Sequence, residues 1–439
     1  MSNCECSFCK NEKEFVFPRE LLDRISEGKV AIFAGAGIST ENRDHCRGTF
    51  YDQIQVEIGA SGDLDFPSLM SLYCSRPDGR IKLVQKIRDR LNYFSSFRGF
   101  YVPMTRFHRA IRPLFMIKDV ITTNWDDFFE AEAGLEPFVY DQDLALVDSS
   151  KRRVIKIHGS ITNYGSIVAT SEDYAHSLKK LRNGAIGAYL KNIIASKTII
   201  YTGYSLKDPN YLKLVQSMTK IMGPFVRSSY YVSPYIDHEY LRKTGLNLIP
   251  VETDGSFFLE QFRTHYNSLA GADKIIPEAA FDTCAEFLIG VNSYHSFTAD
   301  KFLETKNKLL ILALSYQDGL QDALMRIKDT RASGEYYNFD HVHALIHGYE
   351  NKVNEYVSAD NLWDACYCRG YQNGLLFLLS NGDAAPPIVD LIFDETIDSA
   401  PKVLRFPRKK IPKTILDEID KLFSRIGQGD LIPEHMPYV

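Results

Sequence analysis

The run from Lys29 to Thr40 narrows the folds open to this chain more than any other segment. Val30-Ala31-Ile32-Phe33 reads as a buried strand, and it breaks at once into Gly35-Ala36-Gly37-Ile38-Ser39-Thr40. Where a strand stops at Gly-x-Gly, backbone can approach whatever lies beyond it, because no Cβ intrudes and positive φ is open. A helix after such a turn offers free N–H groups and a dipole that favour phosphate. A short Gly-x-Gly loop alone also serves plain tight turns, so the rest of the chain decides its meaning.

Three later segments repeat the design. Residues 117–130 begin as an apolar run and end in Thr122-Thr123-Asn124-Trp125-Asp126. Residues 154–160 close on Ile157-His158-Gly159-Ser160, and residues 197–210 pass from strand into Gly203-Tyr204-Ser205-Leu206. In each, polar residues follow the strand's C-terminal end, the edge of an open parallel α/β sheet where ligands bind. Further strands are expected near 229–233 and 247–251, with helices near 18–27 and 256–269.

Gly35-Ala36-Gly37-Ile38-Ser39, Thr122 to Asp126, Ile157-His158-Gly159 and Gly203 to Leu206 resemble the sirtuin signatures, in the sirtuin order. Phe107-His108-Arg109-Ala110-Ile111 fits the same pattern, and the resemblance covers roughly residues 15–270. It implies an α/β fold, a Rossmann-like parallel sheet, with NAD bound along the strand ends. In that reading Gly35, Ala36, Gly37 and Ser39 line the pyrophosphate. Asn124 lies beside the nicotinamide ribose, and Asp126 contacts the nicotinamide amide. Thr123 stands where many sirtuins carry a glutamine and is too short for the same ribose contact. Gly203 and Ser205 hold the adenine-side ribose and phosphate.

His158 is the expected general base, since imidazole titrates near neutral pH and can take a proton from a ribose hydroxyl or attacking water. The same residue types have plainer uses. Asn124 and Asp126 suit Asx turns and helix caps, a histidine after a strand is often structural, and Asp208-Pro209 suits a helix start. Cleaving the nicotinamide bond passes through an oxocarbenium-like state, as in glycosidic cleavage. Orientation, stabilisation of the cation and activation of water then carry the rate.

Two departures bear on the reaction. Protein-deacylating sirtuins usually carry two Cys-x-x-Cys pairs between the His and Gly-x-Ser motifs, yet residues 159–202 hold no cysteine. No zinc module is expected, and the acyl-lysine groove it helps to form is in doubt. The Asp-Phe-Arg triplet of many deacylases is also missing; residues 41–46 read Glu-Asn-Arg-Asp-His-Cys. Zinc-less sirtuin-like domains fused to a helical domain resemble bacterial antiphage effectors, which hydrolyse NAD to nicotinamide and ADP-ribose once infection is sensed. That resemblance implies a homo-oligomer and an activating partner such as a HerA-like ATPase. A protein deacylase and a non-catalytic NAD or ADP-ribose sensor remain as alternatives.

The chain's 439 residues allow two or three domains. Residues 1–14 read as a mobile tail in which Cys4, Cys6 and Cys9 offer three of the four ligands of a tetrahedral metal site. Residues 15–275 form the sirtuin-like domain, with a small helical insertion at about 41–105 over the cleft. Residues 276–439 read as a separate, mostly helical domain for oligomerisation or partner docking, with amphipathic stretches at 281–291, 299–313, 319–331, 339–356 and 362–379. There Tyr371 and Phe377 suit a helix core. A formal net charge of −5 gives no general pull toward nucleic acid or anionic membrane. The basic stretch 401–413 could touch phosphate but suits a solvated loop. Neither a secretory h-region nor an apolar run of membrane-spanning length stands out, so the expected location is the cytoplasm.

Overall fold

The computed structural model describes residues 10–39, 48–60, 62, 64–148, 150–270, 274–394, 396–426 and 435. Cys4, Cys6, Cys9 and residues 41–46 lie outside them. The chain divides into two compact units, residues 1–271 and 272–439.

The first unit is built on a seven-stranded sheet of order β3-β4-β2-β1-β5-β6-β7. The strands are β1 (Val30–Ala34), β2 (Asp119–Thr122), β3 (Glu136–Phe138), β4 (Arg153–Lys156), β5 (Thr198–Thr202), β6 (Ser229–Ser233) and β7 (Leu248–Glu252). Every pairing is parallel. β1 is the central strand, and all five of its residues are buried, as expected of a parallel strand covered on both faces. The chain leaves β1 for β2 on one side and returns through β5 on the other, so a switch point lies at β1's C-terminal end.

The two faces follow from the strand period of two. Ala31 and Phe33 join Ile121, Ile155, Ile199 and Tyr201 in a core with Leu181, Leu190, Tyr211 and Leu214 from helices Ser171–Asn183, Ala185–Ser196 and Pro209–Met222. On the opposite face, Thr202 meets Gly255 at the start of helix Gly255–Ala270, beside Phe107 of helix Arg106–Ile111. Phe258 and Phe262 of the former close that layer against Phe17, with the Phe17 and Phe258 rings 5.0 Å apart.

Between β1 and β2 lie helices Phe50–Ile58, Phe66–Cys74, Gly79–Ser96 and Arg98–Met104. Ile54, Leu69, Met70, Tyr73, Leu83 and Ile87 form a small core of their own. It packs on Trp125, Ile161, Ile167 and Ala169 from the loops after β2 and β4. The helical segment is thereby fastened to the C-terminal edge of the sheet. Arg80 adds a tie, donating to Asp173 at 2.7 Å and to the Ile167 carbonyl at 2.6 Å.

The second unit rests on four long helices, Glu278–Thr305, Leu310–Asp329, Phe339–Ser358 and Leu362–Leu379. Leu310–Asp329 and Leu362–Leu379 are buried along most of their length. They cross at glycines: a Cβ on Gly319 would run into the Tyr367 carbonyl, and one on Gly370 into the Tyr316 carbonyl. Tyr371 and Phe377 are core residues here. Among the described residues no helix is long and apolar enough to cross a membrane.

Candidate functional site

Parallel register brings the singled-out motifs to one edge. Ala34 pairs with Thr122 and with Thr202, and Thr122 pairs with Lys156. Ala36, Asn124 and His158 therefore each stand two residues beyond paired positions on three adjacent strands. Neighbouring strands are about 4.8 Å apart, so these residues start from one short stretch of edge. Short bonds keep the loops from splaying. Thr122 Oγ1 donates to the Ala34 carbonyl at 2.9 Å and accepts from Asn124 N at 3.0 Å, while Ile157 N donates to the Thr122 carbonyl at 3.0 Å.

The loops after β1 and β5 meet backbone to backbone. Gly35 N donates to the Thr202 carbonyl at 3.0 Å, and Gly37 N to the Gly203 carbonyl at 2.8 Å. A Cβ on Gly35 would lie 2.5 Å from the Gly203 oxygen, and one on Gly37 2.8 Å from it. Gly203 itself has φ +56. The amides of Gly35 and Gly37 are thus spent on joining two loops. In this arrangement neither N–H is a free donor. Ala36 and Gly37 still present an exposed surface, Ser39 is half-buried, and Ser205 is exposed. The residues after β1 form a four-residue 3₁₀ turn, Ala36–Ser39. Leu206 holds a left-handed φ of 55 while its side chain is fully buried in the core. That conformation costs about 1–2 kcal/mol for a residue with a Cβ and persists because the packing fixes it.

Asn124 is buried. Its Nδ2 lies 3.5 Å from Ser39 Oγ, and its Oδ1 has no hydrogen-bond partner among the described residues. A buried amide oxygen left unpaired costs about 1–3 kcal/mol. Thr123 beside it is half-buried.

His158 is 5% exposed, and its Nε2 lies 2.8 Å from Asp208 Oδ2. The angle places this contact outside hydrogen-bond geometry, and neither buried atom has another partner among the described residues. Asp208 Oδ1 meanwhile accepts from Asn210 N at 2.8 Å and Tyr211 N at 3.2 Å, capping helix Pro209–Met222. Burial pushes the Asp208 carboxyl up, but His158 and the two cap amides outweigh it and hold the group below the usual carboxylate range. The Tyr174 ring packs 4.9 Å from the imidazole. Gly159 has φ +83, and a Cβ there would run into the Ser166 carbonyl, so the chain turns sharply after His158.

Asp126 is buried as well, with Oδ1 accepting from Phe128 N at 3.3 Å. Burial raises its carboxyl to about 6 against the opposing charge of Lys156. Lys156 is buried; its Nζ donates to the Asp126 carbonyl and pairs with Glu130 Oε1 at 2.8 Å. His108 is buried against Phe128 and Phe129 with both nitrogens unpartnered among the described residues. Burial, with the charges of Lys156 and Arg109, lowers it to about 3, so the ring is neutral.

The structure thus gathers Gly35–Ser39, Asn124, Asp126, His158 and Gly203–Asp208 along one edge. The pairing of Asp208 with His158 and of Lys156 with Glu130 was missed by sequence reasoning. Lys156 carried a signal, a charge inside an otherwise apolar buried strand; Asp208 read only as a cap. Between His158 and β5 the chain forms two helices broken at Gly184. Among the described residues no group of three or more His, Cys, Asp or Glu side chains is placed to hold a metal.

Residues 118–249 match the SIR2-like domain family. The NAD(+) hydrolase ThsA of Cytobacillus dafuensis is 26% identical over 223 residues, covering 49% of this chain and 43% of that protein. The protein of that name from Bacillus cereus (strain MSX-D12) is 28% identical over 207 residues, 44% of this chain and 41% of its own length. The one from Enterococcus faecium is 26% identical over 226 residues, 49% and 45% respectively. The match spans less than half the length of these curated relatives.

Proposed function

We propose that the SIR2-like domain of this chain is an NAD glycohydrolase, releasing nicotinamide and ADP-ribose. The observation that carries the reading is the placement of Asn124 and His158 at the same step beyond the paired strands β2 and β4. Asn124 stands there next to the Gly35–Ser39 turn, at the sheet's switch point, with His158 one strand further along the edge. NAD lies across that edge with its adenine end toward Gly203 and Ser205. Its pyrophosphate lies along Ala36 and Ser39, held by the exposed face of the turn and not by the Gly35 and Gly37 amides. Its nicotinamide ribose lies beside Asn124, with Thr123 lining the same end.

The unpaired Asn124 Oδ1 accepts from a ribose hydroxyl or from the attacking water. Asp126 contacts the carboxamide. The C1′–nitrogen bond breaks with its electron pair going to nicotinamide, and the water oxygen bonds C1′ as His158 takes its proton. The names of the relatives support the substrate, and the lack of cysteine in residues 159–202 favours water over an acyl-lysine acceptor.

As a whole, the protein acts in the cytoplasm as an effector of antiphage defence that depletes NAD. Residues 276–439 serve homo-oligomerisation or docking of an activator such as a HerA-like ATPase. The test follows nicotinamide by chromatography with the purified chain, alone and with its neighbouring gene product, with and without acyl-lysine peptide. Peptide-independent release is expected. Release only with peptide identifies a deacylase, and NAD binding without release identifies a sensor.

A further inference from the structure

The two oxygens of Asp208 have separate partners. Oδ1 alone caps helix Pro209–Met222, through the amides of Asn210 and Tyr211. Serine or asparagine caps a helix as well as aspartate does. The cap therefore does not call for a carboxylate, and it leaves Oδ2 without a task. Oδ2 is buried, and among the described residues its ion-pair contact is with His158 Nε2 at 2.8 Å, itself buried and otherwise unpaired. Each atom is the other's available partner. Apo catalytic contacts are often poorly aligned and tighten in the complex.

We propose that Asp208 is the positioning residue of His158: its carboxylate takes the proton-bearing Nε2 and leaves Nδ1 as the nitrogen that accepts a proton. The proposal rests on the reading of His158 as general base. A carboxylate is acceptor-only, so a short contact to Nε2 is favourable when Nε2 carries hydrogen, and a neutral imidazole then has its lone pair on Nδ1. Asp208 is ionised at neutral pH, because His158 and the cap amides hold its carboxyl down against burial. The other ionisable groups facing the pair are Tyr174, whose ring packs on the imidazole, and Tyr204 from the β5 loop. Burial and the Asp208 charge raise both phenols above their ordinary range, so both stay neutral.

The test uses the full chain with isotope-labelled histidine, the signal of His158 among eleven assigned with a His158→Gln variant. Long-range proton–nitrogen spectra read the tautomer directly. The wild type is expected to carry hydrogen on Nε2. Asp208→Asn keeps the cap, since the amide oxygen still faces the Asn210 and Tyr211 amides, but turns an NH₂ donor toward Nε2. The tautomer should then invert, and kcat should fall by about 10²–10⁴-fold, in the manner of a wrong-tautomer variant, with KM within about twofold. Asp208→Ser keeps the cap and leaves Nε2 without a partner, giving a tautomer mixture.

An unchanged tautomer in folded Asp208→Asn, or hydrogen on Nδ1 in the wild type, overturns the proposal. Nicotinamide release by the wild type with no tautomer change in the variant leaves the hydrolase reading standing and removes Asp208 from it. Inversion in the variant of a protein that cleaves no NAD does the reverse.

Discussion

At the scale of single residues, backbone and titration behaviour both make claims on the site. Gly203 combines a left-handed φ with direct contact on the Ile38 backbone. Gly203→Ala therefore meets about 1–2 kcal/mol of conformational cost plus a clash, and the thermal midpoint should drop by several degrees. An unchanged midpoint would mean the β1 and β5 loops do not lock as described. Asp126 makes the pH claim. Its folded-state carboxyl sits at about 6 against an ordinary 3.8, so the folded protein binds the extra proton and stability falls as pH rises from about 4 to about 6. Two units correspond to roughly 3 kcal/mol. Asp126→Asn removes that penalty and should be more stable than wild type above pH 6 but not below pH 4. Denaturant titrations of both proteins at the two pH values check it; equal gains at both would contradict the shift. Asp126, Asn124 and His158 could be singled out from sequence because strand-then-polar patterns mark sheet edges. The Asp208–His158 contact could not, since fifty positions separate the two and the Asp-Pro pair already had a sufficient local explanation.

At the scale of elements, the sequence separated strands well and boundaries less well. The apolar cores of β1, β2, β4 and β5 are legible as runs, but β3 was not foreseen, being three residues long with a proline inside. The stretch 299–313 reads as one amphipathic helix, yet the chain breaks at Lys306, with φ 52, between helices Glu278–Thr305 and Leu310–Asp329. Conversely, the interval between 291 and 299 carries no break, because its exposed residues hide a continuous helix. Glycines in these helices divide by surroundings in a way sequence cannot show. Gly319 and Gly370 sit where two backbones touch, whereas Gly290 and Gly348 have nothing within 4 Å of a built Cβ. Gly370→Ala should destabilise by about 1–3 kcal/mol or more through overpacking. Gly348→Ala should stabilise by about 0.5–1 kcal/mol by helix propensity. Urea midpoints for the two variants decide this; opposite signs are expected, and equal signs would contradict the tight crossing of Leu310–Asp329 and Leu362–Leu379.

At the scale of the whole molecule, the chain joins a parallel α/β unit to a helical one, each with its own core. The first carries the candidate site at the edge where the strand order reverses. Its helical segment between β1 and β2 is fastened there through Trp125, so that sheet edge and the segment are one packed structure. Trp125→Ala, which empties that joint, should both raise KM for NAD and lower the thermal midpoint; steady-state kinetics beside calorimetry check it, and an unchanged KM would contradict the coupling. The central claim is that this edge cleaves NAD with Asn124 and His158. The most direct measurement is chromatographic release of nicotinamide and ADP-ribose from NAD, without peptide, by wild type, Asn124→Ala and His158→Ala of matched thermal midpoint. Equimolar release by the wild type and its loss in both variants is the predicted result. Release that persists in either folded variant would place the chemistry elsewhere.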